Sequence, residues 1–294
     1  MEYQIDVRFT DFPVHQKITH GATSMIYSAE TSSGNQVIIK RYSERTVRDF
    51  PLSFQREVDI LMQCQHPSIV RILGYSDIDK FIILEKLSCD LNNLISINNV
   101  KLDHTSELII LIGIAAGMKY LHQHQIVFRD LKPSNILIDT TTFYPKLCDF
   151  GYSKQQFSIE EAESSHCLGT TIYFSPEVMR DNKDYPARDV YSFSMVIYFL
   201  LLKKEPFGEL QKLPFFGFIE RICDGVRPEI PTNKVPIFFE NLMKRCWDAN
   251  YEIRPTFQDI FDELIEFARN CFEVDQNRLS AYLEKFVFLE STIM

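Results

Sequence analysis

The chain has 294 residues and a formal net charge of −9, from 31 basic and 40 acidic side chains. Single hydrophobic cores stop growing near about 250–300 residues, so this length fits one large domain or two fused lobes. The acidic balance argues against a general nucleic-acid-binding protein, which needs a basic face. Ten glycines and thirteen prolines, without a biased tract, exclude the collagenous, linker-like and largely disordered classes.

The sequence also bears on the cellular compartment. Seven cysteines lie far apart without a CxxC pair, which favours reduced thiols over a disulfide framework. The first residues lack the basic and apolar segments of a signal peptide. The longest apolar run, 195–202, is far shorter than the roughly twenty residues that span a bilayer. We therefore expect a cytoplasmic protein without membrane insertion, and a nuclear location stays open.

The first hundred residues are predicted to form strands around a single helix. Each predicted strand is a short apolar run bounded by turn residues: 37–39, 69–73 and 81–84. The helix is indicated by apolar residues at three- and four-residue spacing: Phe54, Val58 and Leu61. The chain is therefore predicted to begin with a small β-rich part.

From about residue 105 the apolar period becomes helical. A stripe from Leu108 to Leu121 predicts one long helix, with Thr105 or Ser106 as its N-cap. Further helices are predicted at about 188–203, 236–247 and 256–271. A tail helix is indicated by apolar residues at the same spacing: Leu279, Tyr282, Leu283, Phe286 and Leu289. The predicted fold class is α+β, with two lobes that meet near residues 85–90 and a tail that packs on the larger lobe rather than recruiting a partner.

One loop carries three polar residues between apolar runs: Asp130, Lys132 and Asn135. Another acidic residue, Asp149, opens the tripeptide Asp-Phe-Gly. Carboxylate and amide oxygens are hard ligands that suit Mg²⁺, which keeps waters and is shared with substrate phosphates. These residue types at this spacing therefore suit a divalent metal ion together with a proton acceptor.

Two segments resemble motifs of the eukaryotic protein kinases. Phe-Arg-Asp-Leu-Lys-Pro-Ser-Asn at 128–135 resembles their catalytic loop, and Asp-Phe-Gly at 149–151 resembles their metal-binding motif. The resemblance covers about residues 14–270. It implies a two-lobed kinase-like fold with a small lobe at about 14–87 and a large lobe at about 88–270, and the helical tail predicted from the apolar spacing follows at 271–294.

The resemblance implies a role for each matching residue in phosphoryl transfer. Asp130 would accept the proton of a substrate hydroxyl, and Lys132 would steady the γ-phosphate of ATP. Asn135 and Asp149 would hold Mg²⁺. The implied activity is the transfer of the γ-phosphoryl group of ATP to protein hydroxyls.

Further residues are assigned to ATP binding by the same resemblance. Val-Ile-Ile-Lys at 37–40 is similar to the strand whose lysine holds the α- and β-phosphates, and Glu57 on the following helix would pair with Lys40. The remaining positions comprise the loop over the phosphates, the strip that meets adenine and the floor under the base: Ile18, Thr19, His20, Gly21, Ala22, Thr23, Ser24, Met25, Ile26, Ile38, Glu85, Leu87 and Leu137.

Structural roles are implied for residues around this site. Glu177 is expected to form an ion pair with Arg254, and Asp189 is expected to brace the catalytic loop. Phe128 replaces the histidine that the family usually has, and its ring is expected to pack with Phe150.

The resemblance also indicates a subgroup and a mode of regulation. Lys132 followed by Pro-Ser is similar to the serine/threonine type, while Cys-Trp at 246–247 and Arg-Pro-Thr-Phe at 254–257 resemble the tyrosine-kinase-like group. The segment 149–177 corresponds to the activation segment, on which an upstream kinase would act. Its candidate hydroxyls are Ser158, Ser164, Ser165, Thr170 and Thr171.

Two departures from the family pattern leave a second function open. Only Gly21 remains of the three glycines that let the backbone approach phosphates, and Ile38 replaces the usual alanine on the face of Lys40. Both changes suit a pseudokinase that serves as a nucleotide-binding or scaffolding module. The retained Lys40, Asp130 and Asp149 favour the enzyme.

Overall fold

The computed structural model describes residues 4–5, 7–12, 15–20, 24–42, 50–98, 100–155, 171–181 and 185–290. Several predicted site residues lie outside this part of the chain: Gly21, Ala22, Thr23, Ser158, Ser164, Ser165 and Thr170. The side chains of Thr19 and His20 lie outside it as well.

The N-terminal lobe is a six-stranded sheet with one helix. Its strands are β1 (Gln4–Ile5), β2 (His15–His20), β3 (Ser24–Glu30), β4 (Gln36–Tyr42), β5 (Ile72–Ser76) and β6 (Phe81–Glu85), and its helix is α1 (Phe50–Gln63). The strand order is β1-β5-β6-β4-β3-β2, antiparallel except for the parallel pair of β1 and β5. Strand β4 lies inside the sheet, between β3 and β6, so residues on it are held from both sides.

The C-terminal lobe is mainly helical. Its helices are α2 (His104–Gln123), α3 (Pro176–Asp181), α4 (Ala187–Leu202), α5 (Phe215–Cys223), α6 (Ile237–Cys246), α7 (Phe257–Asn270) and α8 (Gln276–Glu290). The lobe also has short strands, one before α2 and four between α2 and α3: β7 (Cys89–Asp90) pairs with β9 (Ile136–Ile138), which pairs with β10 (Pro145–Leu147), and β8 (Ile126–Val127) pairs with β11 (Lys154–Gln155). The two-lobed α+β fold predicted from the sequence is confirmed.

Most buried apolar residues of the two lobes form one large core, and a smaller cluster that includes Val37, Ile39 and Phe81 lies apart from it in the small lobe. The large core includes Leu61 and Ile72 of the small lobe together with Phe128 and Phe150 of the large lobe. The rings of Phe128 and Phe150 meet edge to face, with centroids 5.1 Å apart. Phe128 therefore takes the packing role predicted for it.

The predicted strand at 69–73 is wrong at its start, because β5 begins only at Ile72. The residues before it instead form backbone hydrogen bonds with β10 of the large lobe. The amide of Val70 donates to the carbonyl of Leu147 at 2.9 Å, and the amide of Leu147 donates to the carbonyl of Ser68 at 2.8 Å. An apolar run does not reveal whether its backbone pairs with the sheet or with the other lobe.

The predicted N-cap of the long helix is also wrong. Asp103 caps α2, since its Oδ1 accepts a hydrogen bond from the amide of Ser106 at 2.7 Å. The two hydroxyls that were predicted to cap the helix bind the C-terminal part of the chain. Thr105 Oγ1 accepts from the amide of Asp275 at 2.9 Å, and Ser106 Oγ accepts from Arg278 at 2.8 Å.

Helix α8 packs on α2 of the large lobe, as predicted for the tail. Tyr282 is fully buried, and its hydroxyl lies 3.4 Å from Ser68 Oγ in the loop after α1. Gly113 of α2 makes room for this side chain, because a Cβ there would lie 2.1 Å from the hydroxyl oxygen of Tyr282. The tail helix therefore contacts both the large lobe and the loop that follows α1. The domain limits at residues 14, 87 and 270 stay predictions.

Two further findings concern the cysteines and the lengths of the apolar helices. The six cysteines within the described ranges are free. In the same part of the chain, no helix combines the length and the apolar character needed to cross a bilayer.

Candidate active site

Strand β4 places Lys40 at a buried point between the sheet and α1. Its Nζ lies 2.6 Å from Glu57 Oε2 and 2.6 Å from Asp149 Oδ1. Glu57 lies on α1 and Asp149 follows β10, so three separate elements bring these charges together. The Lys40–Glu57 pair predicted from the sequence is observed, and Asp149 joins it.

The charges of this cluster shift one another's pKa. Burial lowers the pKa of Lys40, but the carboxylates of Asp149 and Glu57 outweigh it and raise the pKa well above the ordinary value. Burial raises the pKa of Glu57, against the opposing effect of Lys40. At Asp149 burial acts in the same direction, yet Lys40 holds the pKa below its usual range. Lys40 is therefore a cation at neutral pH, and Asp149 is an ionised carboxylate whose side chain is 37 % exposed.

Two residues of the site have a left-handed backbone conformation. The φ angle is 73° at Arg129 and 67° at Asp149, a region that residues other than glycine rarely adopt. Asp189 holds the first of these, because its carboxylate oxygens accept from the amides of Phe128 and Arg129 at 2.8 Å each. Strained backbone of this kind clusters at functional sites, where the surroundings over-determine it. The bracing contact predicted for Asp189 is observed.

Asp130 lies in the same loop and is held by two neighbours. Lys132 Nζ donates to both of its carboxylate oxygens, at 3.0 and 2.8 Å. Asn135 Nδ2 donates to Asp130 Oδ2 and to its backbone oxygen, at 2.8 Å each. Burial raises the pKa of Asp130, and Lys132 opposes this effect. The carboxylate is thus oriented, largely shielded from water and able to accept a proton.

Asn135 and Asp149 offer oxygen donors to a cation. Because the amide nitrogen of Asn135 bonds to Asp130, its Oδ1 is the atom that can face a metal ion. Within the described ranges, no group of three or more His, Cys, Asp or Glu side chains could hold a metal ion. A hard divalent cation such as Mg²⁺ usually keeps several waters and is shared with substrate phosphates, so these two oxygen donors would suffice to hold it.

The alternation of β4 and β6 separates the two faces of the sheet at the predicted adenine site. Ile38 packs against the large core, as do Leu87 and Leu137. Glu85 directs its side chain elsewhere, since its Oε1 accepts from Lys146 Nζ at 2.6 Å and from the amide of Arg71 at 2.7 Å. The amide of Glu85 also donates to the carbonyl of Arg71 at 3.1 Å, so contact between the backbone of Glu85 and a base stays a prediction.

Strands β2 and β3 flank the loop that is predicted to cover the phosphates. The described backbone pairs His20 with Met25, with an irregularity in the ladder at Ile18. Ser24 is buried at the start of β3, and Ile18 is exposed. Since 21–23 lie outside the described residues, contact between this loop and phosphate stays a prediction.

A buried ion pair lies below the site in the large lobe. Arg254 donates to both carboxylate oxygens of Glu177, at 2.7 and 2.9 Å. Burial would raise the pKa of Glu177, but Arg254 holds it below the usual range. The pair predicted from the sequence is observed. It ties the end of the segment 149–177 to the loop before α7.

Sequence reasoning missed Tyr42, the last residue of β4. Its hydroxyl donates to Glu57 Oε2, the same oxygen that accepts from Lys40. The signal was present in the sequence, because residues two apart in a strand share a face and Tyr42 is two residues after Lys40.

Comparison with known proteins shows which protein family the chain is similar to. The family described as protein kinase domain matches residues 12–280. The chain is similar to dual specificity protein kinase shkA of Dictyostelium discoideum, at 34 % identity over 249 residues, which are 82 % of this chain and 46 % of that protein. It is also similar to serine/threonine-protein kinase mos of Patiria pectinifera, at 28 % identity over 266 residues, which are 86 % of this chain and 74 % of that protein. The chain spans less than half the length of several curated relatives.

Proposed function

The chain belongs to the protein kinase family, and we propose that it is an ATP-dependent serine/threonine kinase that phosphorylates protein hydroxyls. The observation that carries this proposal is the contact of one buried ammonium group, Lys40 Nζ, with both Glu57 and Asp149 at 2.6 Å. Kinases need this arrangement because phosphoryl transfer depends on positioning and on charge stabilisation. The relatives' names support protein kinase activity in general.

ATP and a divalent metal ion follow from the family, and we propose Mg²⁺ as the metal. The donor set fits this ion, because Asn135 Oδ1 and the carboxylate of Asp149 are hard oxygen ligands. Bound there, the metal ion would offset the negative charge of the phosphates. Lys40 would supply a further positive charge at the α- and β-phosphates, and its ion pair with Glu57 would keep the ammonium group in place.

Asp130 is the proposed proton acceptor. As the substrate hydroxyl oxygen bonds to the γ-phosphorus, the bond between that phosphorus and the β–γ bridging oxygen breaks, and the hydroxyl proton passes to Asp130. Lys132, which donates hydrogen bonds to both oxygens of Asp130, would steady the γ-phosphate. Asn135 orients the acceptor through its two hydrogen bonds to Asp130.

The choice of serine and threonine over tyrosine rests on sequence similarity. Lys132 and the Pro133-Ser134 that follow it are similar to the serine/threonine type. The segment 246–257 supports placement near the tyrosine-kinase-like group. We also propose that the substrate is a protein, that the kinase is located in the cytoplasm and that it does not bind nucleic acid.

The pseudokinase reading is the weaker alternative. Ile38 and the reduced glycine loop favoured it, but degenerate kinases commonly lose at least one of the charged residues that this site retains. Here Lys40, Glu57 and Asp149 are in contact, and the Asp130 side chain is held in place by hydrogen bonds.

We further propose activation by an upstream kinase on the segment 149–177. Thr171, the candidate hydroxyl in the described part of that segment, begins a short helical turn and is partly buried. A phosphate near the segment would pair with Arg129, which precedes the proton acceptor. Phosphatase treatment that leaves activity unchanged would contradict this part of the proposal.

The direct test is phosphoryl transfer measured by intact mass. The protein is incubated with Mg-ATP and a generic basic protein, beside the Asp130→Asn variant. Phosphate that appears only with the native protein supports the proposal. If the native protein binds ATP, carries phosphate on the activation segment and still transfers none, the scaffolding alternative is favoured.

A further inference from the structure

Tyr42 joins strand β4 to helix α1 at two points. Its hydroxyl donates to Glu57 Oε2, and its ring meets the ring of Phe54 edge to face, with centroids 5.3 Å apart. Phe54 lies three residues before Glu57, which is close to one helical turn. Tyr42 therefore contacts two residues on one face of α1, Phe54 and Glu57, which are about one helical turn apart.

Lys40 contacts the same tyrosine. Its Nζ lies 5.3 Å from the centroid of the Tyr42 ring, within the range of a cation–π interaction. The amide of Tyr42 donates to the carbonyl of Lys80 at 2.9 Å, which fixes the end of the strand. One side chain thus touches both members of the Lys40–Glu57 pair, and its own backbone is anchored to the turn before β6.

The hydrogen bonding of Glu57 is uneven. Oε2 accepts from both Lys40 and Tyr42, whereas Oε1 is buried with no hydrogen-bond partner among the described residues. A buried carboxylate is costly unless its oxygens are satisfied. The Tyr42 hydroxyl therefore provides one of the two hydrogen bonds that hold this carboxylate in position.

We propose that Tyr42 is a positioning residue for phosphoryl transfer, which holds α1 against β4 so that Glu57 keeps Lys40 at the phosphates. This inference rests on the proposed kinase function for its effect on rate, but its effect on α1 stands apart from catalysis. The burial of Tyr42 agrees with this role, since burial raises the pKa of its hydroxyl well above the ordinary value. The group therefore remains a neutral donor throughout the physiological range.

The test begins with Tyr42→Phe, which keeps the ring and removes only the hydroxyl. The matched control is Tyr198→Phe on α4 of the large lobe, where a partly buried hydroxyl donates to the carbonyl of Glu229 at 3.1 Å. Because a hydrogen bond to a charged group is worth about one factor of ten or more, kcat/KM for ATP should fall about tenfold in Tyr42→Phe. The KM for the protein substrate should stay the same, and Tyr198→Phe should match the native enzyme.

A mutant cycle shows whether the hydroxyl acts through Glu57. If it does, Tyr42→Phe added to Glu57→Gln should lower the rate no further than Glu57→Gln alone. The proposal would be overturned if the two substitutions lowered the rate independently, so that their effects multiplied in the double variant. So would a loss that disappears when the rate is expressed per folded molecule.

Amide hydrogen exchange gives a readout that does not need activity. Exchange in the peptide that covers 54–61 should be faster in Tyr42→Phe than in the native protein, and unchanged in Tyr198→Phe. Equal exchange in native and Tyr42→Phe proteins would refute the positioning role. If the native protein transfers no phosphate, the proposed function fails while this measurement still decides the role of Tyr42.

Discussion

The buried ion pair of Glu177 and Arg254 allows a sharp test of how burial changes the value of a salt bridge. The side chains are 6 % and 0 % exposed, and Arg254 contacts both carboxylate oxygens. The chain also contains a solvent-exposed ion pair with the same geometry. Arg245 contacts both carboxylate oxygens of Glu263, and these side chains are 47 % and 33 % exposed. The two pairs have the same chemistry and differ in their access to water.

The change is Glu177→Gln, with Glu263→Gln as the control. Removing one partner of a buried pair costs about 3–5 kcal/mol, because the other charge is left uncompensated. Arg254 keeps hydrogen bonds to the carbonyls of Asp248 and Ala187 at 3.0 and 2.9 Å, so we expect the lower end of that range. An exposed pair contributes only about 0–1 kcal/mol, so the control should be nearly neutral.

Urea unfolding measures both variants. The single tryptophan, Trp247, is buried at the end of α6 and reports on the large lobe through its fluorescence. A loss of about 3 kcal/mol moves the urea midpoint by roughly 1 M if the slope is about 3 kcal/mol/M. Equal midpoints for the two variants, or a cost below about 1 kcal/mol for Glu177→Gln, would refute the reasoning.

The same pair predicts a pH dependence. Because the folded pKa of Glu177 lies below its unfolded value, its contribution to stability is fully present above the unfolded pKa and is lost as the pH falls through the folded pKa. The midpoint difference between native protein and Glu177→Gln should therefore be constant near neutral pH. It should narrow in acid, below the ordinary glutamate pKa of about 4.3. A midpoint difference that grows in acid would show that folding does not lower the pKa of Glu177.

Three other changes test the packing and the loop geometry. Gly113→Ala should destabilise the protein by about 1–3 kcal/mol, measured by thermal unfolding, since the new Cβ would clash with the Tyr282 hydroxyl and with the Pro145 ring; adding Tyr282→Phe should restore only part of the loss, because the clash with Pro145 remains. Tyr282→Ala should cost about 3–5 kcal/mol and speed amide exchange in α8, and unchanged exchange there would show that the residue does not anchor the helix. Asp189→Asn should lower kcat at least about tenfold with little change in the KM for protein substrate, because the strained backbone at Arg129 loses a charged acceptor, and an unaltered kcat would contradict this role.

Local patterns predicted most of the helices because a helical period depends on near neighbours, whereas β4, β5 and β6 were the only described strands that were predicted. The three- and four-residue spacing of Phe54, Val58 and Leu61 is a property of α1 itself, and α1 is where that pattern placed it. The errors arose where polar or apolar residues were used by distant partners. Thr105 and Ser106 looked like caps, yet they bind the chain around α8.

In the candidate site, too, local contacts were predicted from the sequence and contacts between distant elements were harder to predict. The spacing within 128–135 identified Asp130 and Asn135, since one short loop holds them together. The pairing of Lys40 with Glu57 was also predicted, but only because the resemblance supplied the tertiary context. The contact of Tyr42 with Glu57 was missed, although strand alternation already placed Tyr42 on the correct face.

The sequence by itself determined the fold class, most of the helices and the chemical groups of the site. Those depend on periodicity, turn residues and short motifs, which act over a few residues. The tertiary structure decided which charges meet, how deeply each is buried and which backbone carries strain, as at Asp149 and Arg129. These properties arise from elements far apart in the chain, because burial and electrostatic coupling depend on distance in space rather than on separation along the sequence.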